Sequence, residues 1–317
     1  MVALYDIIPD IHGQYGKLEC ILSQLGYSRR GGQWRHTNKH RQIVFLGDFI
    51  DRGPENREVL STVRELIDMG LAVAVMGNHE LNAVHFHTAD PETVEPLREH
   101  SDKNIRQHAS FLREFPHGSH RTREEIRWMA GLPLWLDLGT FRVVHACWSH
   151  AAIDRLSKQT SSAVLSENQL IEAARKGTQL YEDVEVITKG PELKLPGGYV
   201  FHDKDGHRRQ EVRIAWWRSG ARRWSDAAIS VPDLNDLPDA PLPTEAADMI
   251  YPKTDKPVFF GHYWLKGPPP LEAPNALCLD CSAGTDGPLI AYRYTPNDRE
   301  VSLQNVTGHP ELGANPE

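Results

Sequence analysis

Two short clusters of metal-ligand side chains stand out, and a third follows them closely. Asp10 and His12 lie at the end of one apolar run, and Asp48 and Asp51 lie at the end of another. Asn78 follows a third apolar run. Polar side chains that follow buried strands gather at the carboxyl edge of an α/β sheet. The pattern therefore predicts a two-metal hydrolase site on one rim of a sheet.

Two later apolar runs each end in a histidine, His145 and His262. Either histidine alone is more often a core or surface residue, but five clusters in order favour a shared site. Hard oxygen and imidazole donors suit Mn, Fe or Zn rather than a thiolate site. Two ions about 3.5–4 Å apart polarise a phosphoryl group and generate hydroxide at neutral pH. The candidate ligands are Asp10, His12, Asp48, Asn78, His145 and His262.

The polar residues beside these ligands have chemical roles of their own. His79 follows Asn78 and is free to give a proton to a leaving oxygen. Asp51 could hold the imidazole of His79 in the right tautomer. Arg52 offers a planar guanidinium for phosphate oxygens. Six other histidines lack such a context and are interpreted as surface residues: His85, His87, His100, His108, His117 and His120.

The elements that position these residues can be predicted from apolar periodicity. Leu18, Ile21, Leu22 and Leu25 form a helical stripe, which Gly26 is placed to end. A second helix is expected after Pro54, with its end at Gly70. Strands that alternate with helices along the chain imply a parallel sheet with right-handed crossovers. The expected strands are residues 4–8, 43–46, 71–76, 142–145 and 258–262.

Composition bounds the classes of function. With 317 residues, a net charge of −8 and interspersed charges, the chain lacks the clustered Lys and Arg of a nucleic-acid-binding domain. No run approaches ~18 apolar residues, and the first residues lack the basic and apolar segments of a secretory signal. We therefore expect a cytoplasmic protein, with neither nucleic acid nor a membrane as a partner.

At these motifs the chain resembles the calcineurin-like metallophosphoesterases of the phosphoprotein-phosphatase branch. The matching segments are PDIHG (9–13), GDFIDRG (47–53), GNHE (77–80), VVHAC (143–147) and FGHYW (260–264). The resemblance implies ligation by the six residues above, with His79 as proton donor, Asp51 as its partner and Arg52 on phosphate. A second phosphate arginine usually follows a Trp-rich strand in this family. Arg218, after Trp216-Trp217, matches that context, and Arg213 is the alternative.

The resemblance also implies an αββα sandwich, two mixed sheets flanked by helices, within one domain over residues 1–305. Insertions are expected at about 83–130, as a helical cap, and at 155–255, as a helix, a β-hairpin and a Pro-rich loop. The hairpin is predicted to pair Tyr199–His202 with Gln210–Trp217. Residues 276–281 and 289–294 are predicted to close the sheet as a pair. Residues 306–317 are expected to be a loose tail.

The function implied is two-metal phosphomonoester hydrolysis of the serine/threonine protein phosphatase type. Hydrolysis of dinucleoside polyphosphates is the alternative, because the chain looks like bacterial members that include diadenosine tetraphosphatases and PrpE-type phosphatases. A catalytically inactive binding scaffold is a third reading, though no ligand is missing. The expected substrate is a phosphoprotein, a nucleotide or a small phosphoester. Mn is the metal expected first, with Fe, Zn, Ni or Mg as alternatives.

Overall fold

The computed structural model describes residues 3–203, 206–298 and 300–312. Within these ranges the strands, in chain order, are β1 (Leu4–Ile8), β2 (Tyr27–Arg30), β3 (Gln33–His36), β4 (Arg41–Phe45), β5 (Ala72–Ala74), β6 (Trp135–Asp137), β7 (Arg142–Val144), β8 (Glu192–Lys194), β9 (Phe201–His202), β10 (Arg208–Arg209), β11 (Glu211–Ile214), β12 (Ala228–Ile229), β13 (Val258–Phe260), β14 (Ala276–Cys278), β15 (Ala291–Tyr294) and β16 (Val306–Thr307).

The helices begin with polar caps at several positions, because a hydroxyl oxygen can accept a bond from a free backbone amide. Ser101, Ser119, Ser149, Ser166 and Thr178 do so. Short 3-10 helices cover Leu234–Asp236 and Leu303–Asn305. In the described ranges the α-helices are α1 (Tyr15–Leu25), α2 (Asn56–Asp68), α3 (Asn78–His87), α4 (Asp102–Gln107), α5 (Ala109–Glu114), α6 (His120–Ala130), α7 (His150–Ser157), α8 (Glu167–Glu172), α9 (Gln179–Lys189), α10 (Trp224–Ala227) and α11 (Thr244–Ala247).

Two mixed sheets form the centre of the molecule. The first has the order β16-β15-β1-β4-β5, with β1, β4 and β5 parallel and β15 antiparallel to β1. The second has the order β14-β13-β7-β6, with β14, β13 and β7 parallel. The carboxyl ends of five parallel strands lead into the turns that contain Asp10, Asp48, Asn78, His145 and His262.

The sheets pack face to face, with helices outside. Phe259 of β13 lies 4.5 Å from Tyr292 of β15, ring centre to ring centre, and Phe141 lies 4.2 Å from Tyr294. These rings belong to one buried cluster that draws on both sheets. Residues of α1, α2, α7 and α9 are buried with strand residues in another cluster. The predicted αββα sandwich is therefore confirmed.

The first half of the chain forms the elements expected from its periodicity. The stripe Leu18, Ile21, Leu22 and Leu25 is buried on α1. Gly26 caps that helix with a φ of 95°, a left-handed conformation that glycine adopts without steric cost. The segment 83–130 contains α4, α5 and α6, which with the end of α3 form the helical cap.

Two predicted strand pairings are wrong. β9 pairs with β10, whereas β11 pairs with β8 and β12, because this arrangement buries Val212 and Ile214 in a small core of their own. Lys204 and Asp205, in the predicted turn, lie outside the described residues. β14 and β15 are not a pair either. They belong to opposite sheets, and both contribute residues to the core between the sheets.

The chain end also differs from expectation. Val306 and Thr307 form β16, which pairs with β15 at the edge of the first sheet, so the tail is not loose at its start. Residues 313–317 lie outside the described residues. In the described ranges, no helix combines the length and the apolar character that crossing a membrane requires.

Candidate metal centre and active site

The candidate ligands come from turns at one rim of the sandwich. His12, Asp48 and His262 follow β1, β4 and β13, and each has a left-handed backbone with φ of 52°, 52° and 75°. Side chains other than glycine rarely adopt this conformation, and where they do they often belong to functional sites. Asn78 opens α3 just after β5, and His145 follows β7. The turns therefore aim these side chains at a common point.

Asp48 lies at the centre of the cluster. Its Oδ2 is 3.5 Å from Nε2 of His12, and its Oδ1 is 3.4 Å from Nε2 of His145. Two groups of ligand atoms, His12–Asp48–His79 and Asp48–His145–His262, each fall within 4.8 Å, and Asp48 belongs to both. A carboxylate shared by two such groups is placed to bridge two ions.

In neutral imidazole rings, the nitrogens that converge here carry lone pairs rather than protons. Nδ1 of His145 donates to the carbonyl of Leu46 at 2.8 Å, which in a neutral ring leaves Nε2 bare. That Nε2 lies 3.0 Å from Oδ1 of Asn78, which is itself an acceptor. Nδ1 of His12 likewise donates to the carbonyl of Ile50 at 3.0 Å. Imidazoles oriented this way by backbone carbonyls are typical metal ligands.

In this cluster, Nε2 of His12 and Nε2 of His262 are buried and have no hydrogen-bond partner among the described residues. Burying an unpaired polar atom is costly, so native structures rarely contain one without a reason. Asp10 completes the group, since its carboxylate accepts the backbone amide of His262 at 3.0 Å. The residues present therefore fit a pair of divalent cations bound by nitrogen and oxygen.

The electrostatics of the centre favour a bound cation. Burial, together with the carboxylates of Asp280 and Asp48, raises the pKa of Asp10 well above its usual value. Burial lowers the pKa of His145, but Asp48 and Asp10 more than offset it and raise that pKa to about 10. In the absence of other positive charge, a proton is thus drawn into the cluster. A divalent ion would supply that charge and leave the ring neutral.

Two glycines let the ligand turns approach closely. A Cβ on Gly77 would lie 2.2 Å from Oδ1 of Asp48, and one on Gly261 would lie 1.9 Å from Oδ2 of Asp10. Both distances are far shorter than any real contact of a Cβ. Only glycine fits directly before the ligands Asn78 and His262.

His79 and Asp51 form a pair beside the centre. Nδ1 of His79 donates to Oδ2 of Asp51 at 2.6 Å, and His79 lines the open cavity. Burial lowers the pKa of His79, but Asp48 and Asp51 outweigh it and raise that pKa. The ring is thus fixed at Nδ1, and Nε2 remains for a substrate. Although His79 also falls within one ligand group, its Nδ1 is occupied by Asp51.

Glu80 has a role that sequence reasoning did not assign. Its carboxylate accepts the backbone amides of Asp48, Phe49 and Gly77 at 2.7, 2.8 and 3.0 Å. The side chain thereby joins the turn after β4 to the start of α3. Burial and the charge of Asp48 raise its pKa to about 7. The sequence does contain a signal for this role. A Glu at the third residue of a helix can reach back to the backbone amide at the helix start.

A cavity of about 450 Å³ opens over the metal centre. Asn78 and His262 form part of its floor, and the cap supplies much of its wall. The guanidinium carbon of Arg52 lies 4.4 Å from the ring centre of Trp264, so this arginine is held at the cavity mouth. Five cationic side chains line the cavity: Arg52, Arg98, Lys103, Lys189 and Arg213.

The structure corrects the choice of second phosphate arginine. Arg218 points away and binds Glu272, with Nε 2.9 Å from Oε1, and the carbonyl of Asp226 at 3.0 Å. Arg213 lines the cavity. Burial lowers the pKa of His262, and the charges of His145 and Arg213 lower it further. The register explains the error, because β11 ends at Ile214 and the tryptophans with Arg218 lie in the turn beyond it.

The cap histidines are not all surface residues. His85 and His108 are buried, and Nδ1 of His108 donates to Oδ1 of Asp51 at 2.8 Å. His120 is exposed as expected. Nothing in the local sequence distinguishes His108 from His120, since both are flanked by segments of mixed polarity. The fold of the cap decides which histidine meets Asp51.

Comparison with known proteins gives one family. Residues 5–262 match the Calcineurin-like phosphoesterase family. That segment includes all six candidate ligands and the motifs described above, apart from the last two residues of FGHYW (260–264). The match covers most of the chain and ends at the last candidate ligand, His262.

Individual relatives are similar over shorter stretches. A bis(5'-nucleosyl)-tetraphosphatase PrpE of Oceanobacillus iheyensis is 46% identical over 74 residues, 23% of this chain and 29% of the relative. The protein of the same name from Geobacillus thermodenitrificans is 32% identical over 182 residues, 56% of this chain and 71% of the relative. A solved protein serine/threonine phosphatase from Saccharomyces cerevisiae is 14% identical, with a TM-score of 0.47 over 97% of this chain and 79% of that chain.

Proposed function

Because the chain belongs to the calcineurin-like phosphoesterase family, and is therefore a metal-dependent phosphoric ester hydrolase, we propose that it hydrolyses dinucleoside polyphosphates. The name carried by its relatives from Oceanobacillus and Geobacillus supports this substrate class. The first of those alignments spans less than a third of the relative. The main support for this substrate class is therefore the lining of the cavity.

The cationic lining of the cavity is the observation that carries the proposal. Five Lys and Arg side chains face a space of about 450 Å³ in a protein of net charge −8. One phosphate group needs one or two such partners, whereas a chain of phosphates can use them all. A second cavity of about 970 Å³ shares Arg213 and Trp264 with the first. It adds three cationic and three acidic residues: Arg208, Arg209, Lys266, Glu192, Asp203 and Glu211. We expect the two spaces together to receive a substrate with a nucleoside at each end.

The six ligands would hold two divalent ions, Mn being the metal that we propose. When bound, such ions polarise a phosphoryl group and activate water. The residues that would hold the two ions are Asp10, His12, Asp48, Asn78, His145 and His262.

The chain's own side chains would then carry the remaining steps. Arg52 and Arg213 would bind phosphate oxygens and stabilise the charge that grows on them in the transition state. His79 would give a proton from Nε2 to the leaving oxygen, while Asp51 holds Nδ1. We expect no covalent phosphoenzyme, because water would attack phosphorus directly, without a nucleophilic side chain.

The test is a substrate panel with matched variants. The purified protein, supplied with Mn²⁺, is offered diadenosine tetraphosphate, a phosphoserine peptide and 4-nitrophenyl phosphate. We expect the highest kcat/KM on diadenosine tetraphosphate, and its products show whether the cut is asymmetric, as the relatives' names state for those proteins.

Lys103→Ala serves as the probe and Lys253→Ala as its control, since Lys253 lines a different cavity. In the Lys103 variant, kcat/KM should fall more for diadenosine tetraphosphate than for 4-nitrophenyl phosphate. In the Lys253 variant, kcat/KM should be unchanged for both substrates. A clear preference for the phosphopeptide would replace our proposal with the protein phosphatase reading.

A further inference from the structure

Asp51 is held from two sides. Its Oδ2 accepts Nδ1 of His79 at 2.6 Å, and its Oδ1 accepts Nδ1 of His108 at 2.8 Å. His108 belongs to the cap, 57 residues away in sequence. One buried carboxylate thus joins the acid imidazole at the rim to a second imidazole in the cap.

His108 is itself the first member of a row of histidines. Its Nε2 lies 3.2 Å from Nε2 of His87, and Nδ1 of His87 lies 3.0 Å from Nδ1 of His117. The row runs from the buried Asp51, through half-buried His87, to exposed His117. The bonds use opposite nitrogens of His87, so the row is a chain of hydrogen bonds rather than a cage around one ion.

The ionised carboxylate fixes the direction of every bond in this row. Asp51 can only accept, so His108 donates from Nδ1, and in a neutral ring its Nε2 must accept. His87 therefore donates from Nε2 and accepts at Nδ1, where His117 donates. Burial lowers the pKa of His87 to about 3, which keeps that ring neutral as the arrangement requires. Aligned donors strengthen one another in a low-dielectric surrounding.

Packing fixes the position of the His108 ring. It stacks on Phe111 with 4.7 Å between ring centres and an interplanar angle of 18°, and it lies 5.2 Å from Phe86. The ring is 5% exposed. With its plane set by Phe111 and both nitrogens bonded, His108 has one orientation, and it is the one that meets Asp51.

We propose that His108 is a positioning residue for leaving-group protonation, which locks the Asp51 carboxylate in the rotation that aligns His79 with the leaving oxygen. This inference rests on the proposed function, in which His79 is the acid. Without His108, Oδ1 of Asp51 would be buried and unpaired, and the carboxylate could turn away from His79. Hydrogen bonds from His108 and His79, against the cost of burial, also hold the pKa of Asp51 below its usual range, so both imidazoles share in keeping it ionised.

The test compares His108→Leu with His108→Asn on phenyl phosphate and 4-nitrophenyl phosphate. Leucine fills the space without a donor, whereas the amide of asparagine can donate from near the position of Nδ1. We expect His108→Leu to lower kcat for phenyl phosphate about tenfold, the worth of one hydrogen bond to a charged group, with a smaller loss on 4-nitrophenyl phosphate. KM and bound metal should stay the same, and His108→Asn should recover most of the loss.

Three further variants make the result decisive. His87→Phe should produce a smaller loss of the same kind, because it removes the bonds of His87 to His108 and His117 but leaves the bond from His108 to Asp51 in place. This variant also covers the case in which His108→Leu does not fold. His120→Leu is the control, an exposed histidine of the same cap, and should match the parent. His79→Asn, measured alongside, must show the same dependence on the leaving group.

Several outcomes would overturn the inference. If His79→Asn depends on the leaving group and His108→Leu does not, His108 has no positioning role, while the acid role of His79 stands. If His79→Asn shows no such dependence, the proposed acid role fails and the role of His108 falls with it. A rise in KM alone would make His108 a substrate contact, and equal kcat for the Leu and Asn variants would reduce it to a packing residue.

Discussion

The rim and the cap both line the cavity, but the features that position their side chains differ. At the rim, backbone geometry places the ligands: the turns are short, left-handed at His12, Asp48 and His262, and crowded against glycines. In the cap, Lys103 lies on α4, His108 in the turn between α4 and α5, and Arg98 in the loop before α4. The rim therefore allows almost no substitution, whereas the cationic residues of the cap can change while the chemistry is kept. We infer that the rim, supported by His108, sets the reaction and that the cationic residues of the cap set the substrate.

Replacement of the shared carboxylate should have the largest effect. Asp48→Asn removes the group that belongs to both sets of ligand atoms, so we expect loss of bound metal and a fall in kcat on the order of a thousandfold. Elemental analysis measures the metal, with His79→Asn as the matched variant. His79→Asn should keep its metal. If it is equally depleted, His79 is a ligand and not the proton donor.

Removal of the proton donor should rank second. We expect His79→Asn to lower kcat for phenyl phosphate by roughly 10²–10⁴-fold, because a basic leaving oxygen needs a proton. Nitrophenolate needs little protonation, so the loss on 4-nitrophenyl phosphate should be much smaller. Kinetics of both proteins on both esters measure the difference. Equal losses would leave His79 as a group that only orients the substrate.

The next largest effect should be a difference in kcat/KM between the variants of Arg213 and Arg218. Arg213→Ala removes a cavity cation, and we expect kcat/KM to fall about ten- to a hundredfold. Arg218→Ala breaks the pair with Glu272 outside the cavity and should lower the melting temperature with little effect on kcat/KM. Steady-state kinetics and thermal unfolding of both variants test this order. The reverse result would mean that the register of β11 and its following turn is wrong.

The smallest effect should come from the cap. Lys103→Ala should raise KM for diadenosine tetraphosphate by several-fold, roughly 1 kcal/mol for one partly solvated charge pair, and leave kcat unchanged. The same variant should bind inorganic phosphate as the parent does, because one phosphate needs only the rim. A loss of kcat equal to that of the rim variants would contradict the division between rim and cap.

The sequence allowed prediction of the rim but not of the cap, for physical reasons. Asp10, Asp48 and Asn78 directly follow apolar strands, so the fold of a parallel sheet is enough to bring them together. His108 meets Asp51 only through the packing of α3, α4 and α5, which no local pattern encodes. Arg213 was given less weight than Arg218 for the same reason, since the pairing of β11 depends on a small core formed by distant residues. Glu80 had a recognisable helix-start signal that was not used.

Metal removal tests the central claim most directly. Protein dialysed against a chelator should be inactive, and titration with Mn²⁺ should restore activity as two ions bind per chain. Mn²⁺ should restore activity at least as well as other divalent ions added singly, since the site offers nitrogen and oxygen donors without thiolate. Full activity in the metal-free protein would contradict a two-metal site formed by Asp10, His12, Asp48, Asn78, His145 and His262.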